Sequence, residues 1–157
     1  MMNKIRKTTL VAFTTLVLAA LSVSTAFAAP PLALHIEVDE VIATSGETFF
    51  ASGASVLAGE VCPTGTVEDL STTASGAPGG PITILQVVKR FTCADLSGTF
   101  DVRLVVRLDN LTHYTTANWR VVSGTGAYAG LHGNGSLAGT PIDPGLSIRD
   151  VYDGKVH

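Results

Sequence analysis

Residues 100–108 read F-D-V-R-L-V-V-R-L, and their alternation decides the class of fold. Phe100, Val102, Leu104, Val106 and Leu108 share one face of an extended chain, while Asp101, Arg103 and Arg107 take the other. Successive side chains of a β-strand point to opposite sides, so this stretch reads as a strand with one face in a core and one in water. The same period recurs on either side of it. Leu34, Ile36 and Val38 alternate with His35, Glu37 and Asp39. Further strands are expected at Glu47 to Ser52, Val56 to Cys62, Ile82 to Thr92, His113 to Val122, Leu131 to Ala138 and Ser147 to Val156. Beyond residue 29, no stretch keeps helical spacing of apolar residues for three turns without a glycine, proline or β-branched interruption.

Eight such segments, punctuated by glycine and proline, predict an all-β, antiparallel barrel or sandwich. The closed barrel is preferred, because closure removes exposed sheet edges and glycine lets strongly bent strands turn corners. Ser71 to Pro81 and Gly139 to Gly145 read as loops. The first has no side chain able to build a core and carries two prolines; the second ends in the turn sequence Asp143-Pro144-Gly145.

Residues 1–28 do not fit this pattern and read as a secretory signal peptide. Lys4, Arg6 and Lys7 form a positive start, Leu10 to Leu21 is free of charge, and Ala26-Phe27-Ala28 is a small-x-small cleavage site. The apolar run is shorter than the ~20 residues a spanning helix needs, so a membrane anchor is the weaker reading. Residues 29–157 then form a single β-barrel domain, with a secreted or periplasmic/extracellular location and no membrane span in the mature chain. Loss of the leader removes three positive charges and no acidic residue, which leaves the mature chain more acidic than the formal −3 of all 157 residues and keeps all 16 glycines. A hydrophobic content of 46% excludes a disordered chain. No basic field exists to hold a phosphate backbone, which argues against nucleic acid as a partner.

Cys62 and Cys93 are the only cysteines, and in an exported protein they are expected to form one structural disulfide. A bond enclosing about 30 residues stabilises by roughly 3–4 kcal/mol in the chain-entropy model. No C-x-x-C or basic residue beside Cys62 points to redox chemistry.

Motifs for catalysis are weak. Gly124-Thr125-Gly126-Ala127-Tyr128-Ala129 matches a dinucleotide-binding pattern, but the glycines that follow it (Gly130, Gly133 and Gly135) exclude the helix the pattern requires. His35, His113, His132 and His157 show no metal-ligand spacing, and His35 with Glu37 belongs to a solvated face, so no metal is expected. No catalytic residue and no cofactor is indicated. Asn110-Leu111-Thr112 and Asn134-Gly135-Ser136 match the glycosylation sequon.

Lys89 and Arg90 are more informative. As neighbours on one strand they point to opposite faces, so one charge points inward and could anchor a ligand. The plainer reading places them at the rim, or has Asp95 neutralise one of them. Tyr114, Trp119 and Tyr152 complete the candidate cavity-lining set, with simple filling of the interior as the plainer alternative.

The run W-R-V-V-S-G-T-G-A-Y-A-G-L-H-G-N-G-S-L-A-G at 119–139 resembles the glycine-bearing hairpin of the allene oxide cyclase and dirigent-like β-barrels. The wider chain, with V-V-K-R-F-T-C-A-D-L-S-G-T-F-D-V at 87–102 and the ending V-Y-D-G-K-V-H, is similar to bacterial secreted proteins that carry the same hairpin. The resemblance implies an eight-stranded calycin-like barrel, often a homo-oligomer in the enzyme relatives. It assigns Gly124, Gly126, Tyr128 and Gly133 a structural role and carries over no catalytic position.

Together these readings predict a non-catalytic exported barrel that binds a small apolar ligand or an envelope or extracellular partner. The rivals are a cyclase or isomerase acting on a flexible apolar substrate, and a purely structural secreted domain. A continuous interior cavity of about 300 Å³ or more would favour binding or catalysis over the structural reading.

Overall fold

The computed structural model describes residues 30–42, 44–77 and 79–157; the expected signal peptide at 1–28 lies outside them. The chain forms β1 (Leu32–Val41), β2 (Glu47–Ser52), the single helical turn α1 (Ala54–Leu57), β3 (Thr64–Ser75), β4 (Ile82–Cys93), β5 (Thr99–Asp109), β6 (Thr115–Gly124), β7 (Gly133–Asp143) and β8 (Ser147–Val156). Each strand pairs antiparallel with its sequence neighbours, and β8 pairs with β1, so eight strands close a barrel in chain order. Closure leaves the short β2 as the main weak point of the wall. β2 meets β3 only from Glu47↔Val67 to Phe50↔Thr64, so the far half of β3 is held by β4 alone.

Two expected boundaries are corrected. Val56 to Cys62 is not a strand: Gly53, at φ 107°, turns the chain into α1, and Ser55, Val61 and Cys62 are then buried against one end of the barrel. The apolar residues there plug an end instead of alternating along a wall. Conversely, β3 includes Ser71 to Ser75, expected as loop. Thr72, Thr73 and Ala74 pair with Val87, Gln86 and Leu85, and a bulge between Asp69 and Ser71 re-phases the strand. These residues are strand through ladder hydrogen bonds to β4, and their exposure left no apolar period to read. The second expected loop is also partly strand, since β7 continues through Pro141 to Asp143 before the turn.

One half of the interior is solid. Phe91 stacks on Phe100 at 4.9 Å, Phe49 and Tyr152 meet Phe91 edge-on at 5.2 and 5.7 Å, and Tyr128 meets Phe100 at 5.7 Å. Edge-to-face and offset contacts of this kind add to the burial of large apolar area. The Cys62–Cys93 disulfide, with Cα atoms 5.9 Å apart, fastens the α1 segment to the end of β4 over this cluster. Trp119 fits because β7 and β8 each place a glycine against its ring. A Cβ on Gly135 would lie 2.7 Å from the indole Cε2, and one on Gly154 2.4 Å from Cζ2. The indole Nε1 donates to the Ser136 carbonyl at 3.0 Å.

The hairpin assigned by resemblance sits at the same closed end. Gly124 ends β6, Gly133 starts β7, and a three-residue 3-10 turn (Gly126–Tyr128) lies between them where a dinucleotide site would need a helix. Gly126 combines φ 58° with close approach to Ser97, whose carbonyl a Cβ would meet at 2.2 Å. Tyr128 folds inward from this turn, its hydroxyl sharing a hydrogen bond with Ser97 Oγ at 2.9 Å.

The outer face mixes ion pairs with exposed apolar residues such as Phe50, Val105 and Val122. Asp39 pairs with Arg149 through both guanidinium nitrogens, at 2.6 and 2.7 Å, and His35 lies between Asp153 and Glu37 at 2.7 and 3.1 Å. No helix among the described residues is long and apolar enough to cross a membrane.

Candidate functional site

The other half of the barrel is hollow. A cavity of about 440 Å³ opens at the end bearing the β1–β2, β3–β4, β5–β6 and β7–β8 turns. Its walls are aliphatic, formed by Leu85 and Val87 of β4, Leu104 and Val106 of β5, Leu137 of β7 and Ile148 of β8. These positions follow from the strand period. Phe91, Lys89, Val87 and Leu85 descend one face of β4, as Tyr152, Asp150 and Ile148 do on β8.

That period places a charged layer between the solid half and the hollow half. Lys89 stands between Phe91 and Val87, and Asp150 between Tyr152 and Ile148. Lys89 is 6% exposed and Asp150 6% exposed, and both line the cavity. Glu40, in phase with Ile36 and Val38 on β1, and Asp69, directly opposite Lys89 on β3, complete the layer. The Lys89 Nζ donates to Glu40 Oε2 at 2.8 Å and to Asp69 Oδ1 at 2.6 Å. Glu40 Oε1, Asp150 Oδ1 and the Tyr152 hydroxyl have no hydrogen-bond partner among the described residues. Gly139 of β7 makes room for the arrangement, since a Cβ there would lie 2.4 Å from Asp150 Oδ1.

The electrostatics follow from burying two acids, Glu40 and Asp150, around one base, with the half-exposed Asp69 beside them. Burial pushes the Asp150 carboxyl up to about 7, with Glu40 and Asp69 adding to the rise and Lys89 opposing it. Burial likewise raises Glu40 despite Lys89. For Lys89, burial works against the charge, but Glu40 and Asp69 together outweigh it and raise the ammonium pKa. Tyr152 is pushed well above its ordinary value, by burial first and then by Asp150.

The structure distributes the other candidate residues as follows. Of the two adjacent charges, Lys89 is the inward one. Arg90 faces outward and forms a two-pronged pair with Asp101 at 2.8 and 2.9 Å, so the rim placement and the Asp95 pairing are both corrected. Asp95 instead accepts from the Ser97 backbone N–H and hydroxyl at 3.0 and 2.6 Å. Tyr114 is 53% exposed beside the β6 start and lines nothing, because it precedes the strand whose inward phase begins at Thr115. Trp119 and Tyr152 belong to the packed half and not to the cavity wall. Glu40, Asp69 and Asp150 were not expected. Among the described residues, no group of three or more His, Cys, Asp or Glu is arranged to hold a metal ion.

Comparison of the chain with protein-family models, with curated proteins and with solved structures gave no match.

Proposed function

We propose that this protein is an exported binding barrel that holds a small, largely apolar ligand in the hollow half of its interior. The observation that carries the reading is the cavity itself: about 440 Å³, aliphatic on its walls and polar on its floor. Small-molecule sites have this size range and this mix of apolar lining with a few convergent polar groups. The Cys62–Cys93 disulfide suits an oxidising compartment, and the leader-like residues 1–28 supply the route to one. Kinship with the allene oxide cyclase and dirigent-like barrels belongs to the same reading, with the Gly124–Gly133 hairpin as its mark. A solid interior would have favoured a purely structural domain; only half of this one is solid.

One observation favours a second reading, a cyclase or isomerase. A carboxyl held at about 7 against an apolar cavity, as in Asp150, is matched to proton exchange with a bound substrate at neutral pH. The first reading is tested by native mass spectrometry of protein purified from its own host. Retention of a small molecule by the wild type, and its loss in Val106→Trp, which fills the cavity, is the expected result. The bare chain mass in both would count against a resident ligand.

A further inference from the structure

We propose that the ligand is an amine, an amphiphile whose apolar body fills the aliphatic cavity and whose protonated nitrogen docks against Asp150 and Glu40. The inference rests on the cavity-binding reading and specifies what that cavity selects. It follows from what the charged layer lacks. Among the described residues, Glu40, Asp69 and Asp150 face a single ammonium, so the layer is short of positive charge. It is also short of donors, because Lys89 spends two of its three N–H groups on Glu40 Oε2 and Asp69 Oδ1. Glu40 Oε1 and Asp150 Oδ1 remain as buried acceptors without partners.

An orphaned buried acceptor costs about 1–3 kcal/mol, and more when it is charged. A ligand that brings N–H donors and a positive charge supplies both missing quantities at once. An alcohol brings a donor but no charge, and a carboxylate adds a further negative charge to a layer already in surplus. The groups around the site agree with this choice. Glu40 faces Asp150 from β1, Asp69 and Lys89 approach from β3 and β4, the Tyr152 phenol lies behind it, and β7 contributes only Gly139. Glu47 lies near Glu40, and His113 is at the mouth of the cavity.

Without ligand, the Asp150 carboxyl is half-protonated near pH 7. An ammonium beside it favours the ionised form, so amine binding at that pH releases up to about half a proton per site. The test is isothermal titration calorimetry of the oxidised protein with octylamine, 1-octanol and octanoate, compounds that share a tail and differ in head group. At about pH 8 octylamine should bind at least about tenfold more tightly than octanol, with octanoate weakest. At about pH 5 the preference for the amine should shrink as Asp150 protonates. Near pH 7 the measured heat should vary with the ionisation enthalpy of the buffer.

Asp150→Asn should narrow the preference for octylamine over octanol at about pH 8, and Val106→Trp should weaken both compounds. Octanol and octylamine binding equally to the wild type would overturn the amine inference and leave the cavity reading standing. Octanoate binding best, or an amine preference undiminished by Asp150→Asn, would overturn it as well. Failure of all three compounds to bind, or binding indifferent to Val106→Trp, would refute the cavity reading itself.

Discussion

Replacing Asp150 by asparagine should make the protein more stable at alkaline pH and leave it nearly unchanged in acid. In the folded state burial holds this carboxyl at about 7, against an ordinary value of 3.8. A raised acid keeps its proton in the folded chain while the unfolded chain gives it up. Wild-type stability therefore falls as pH rises from about 4 to about 7, and the whole deficit is present above that window. At about 1.4 kcal/mol per pH unit, the span from 3.8 to about 7 sets a ceiling of about 4 kcal/mol. The asparagine amide needs partners of its own beside Gly139, and Glu40 relaxes once its neighbour is neutral, so a gain of roughly 2–3 kcal/mol at pH 8 is expected. At pH 4 the difference should be within about 1 kcal/mol of zero, because Asp150 is already neutral there. Urea unfolding of both oxidised proteins across this range gives the difference directly. A difference that does not change with pH, or a variant less stable at pH 8, would refute the account of the charged layer.

Three further outcomes follow from other parts of the barrel. Replacing Cys62 and Cys93 by serine opens a loop with a sequence separation of 31 and should cost roughly 3–4 kcal/mol, read as a lowered thermal midpoint; an unchanged midpoint would deny the bond a structural role. Gly135→Ala places a Cβ 2.0 Å from the Asp153 carbonyl oxygen and 2.7 Å from Trp119, so it should cost about 3 kcal/mol or more with a shift in tryptophan fluorescence, whereas Gly130→Ala has open space and should be within about 0.5 kcal/mol of wild type by urea titration. Lys89→Met removes the only ammonium that, among the described residues, faces Glu40, Asp69 and Asp150, and urea titration should show a loss of about 3–5 kcal/mol at pH 8 that diminishes at pH 5, as the stranded carboxylates protonate.

Much of the barrel was legible because its walls obey a period of two. Phe100 to Leu108 and Leu34 to Val38 alternate cleanly, and both are strands in the expected phase. The failures lie where another force replaced the period. Val61 and Cys62 are buried as a plug at the barrel end, which gives the same apolar content as a strand without its geometry. Thr72 to Ser75 are strand through pairing with β4, and pairing leaves no trace in composition when both faces are wet.

The site was partly visible for the same reason. Asp150 lies in phase between Ile148 and Tyr152, and Glu40 in phase after Ile36 and Val38, so a charge in the apolar register was a readable signal at both. Asp69 was hidden, since the strand that carries it was not recognised and a bulge follows it directly. Which of Lys89 and Arg90 turned inward depended on register. Phe91, in the aromatic cluster with Phe100, settles it by drawing its own face of β4 into the core.

The central claim is that the hollow half of the barrel binds, and that it does so over its buried carboxylates. Methyl and carboxyl NMR of the oxidised protein during titration with octylamine tests it most directly. The account predicts saturable shifts confined to cavity-lining methyls such as Leu85, Val87, Leu104, Val106, Leu137 and Ile148, together with a fall in the Asp150 carboxyl midpoint from about 7. Shifts confined to outward methyls such as Val105 and Val122, with the Asp150 carboxyl unmoved, would contradict it.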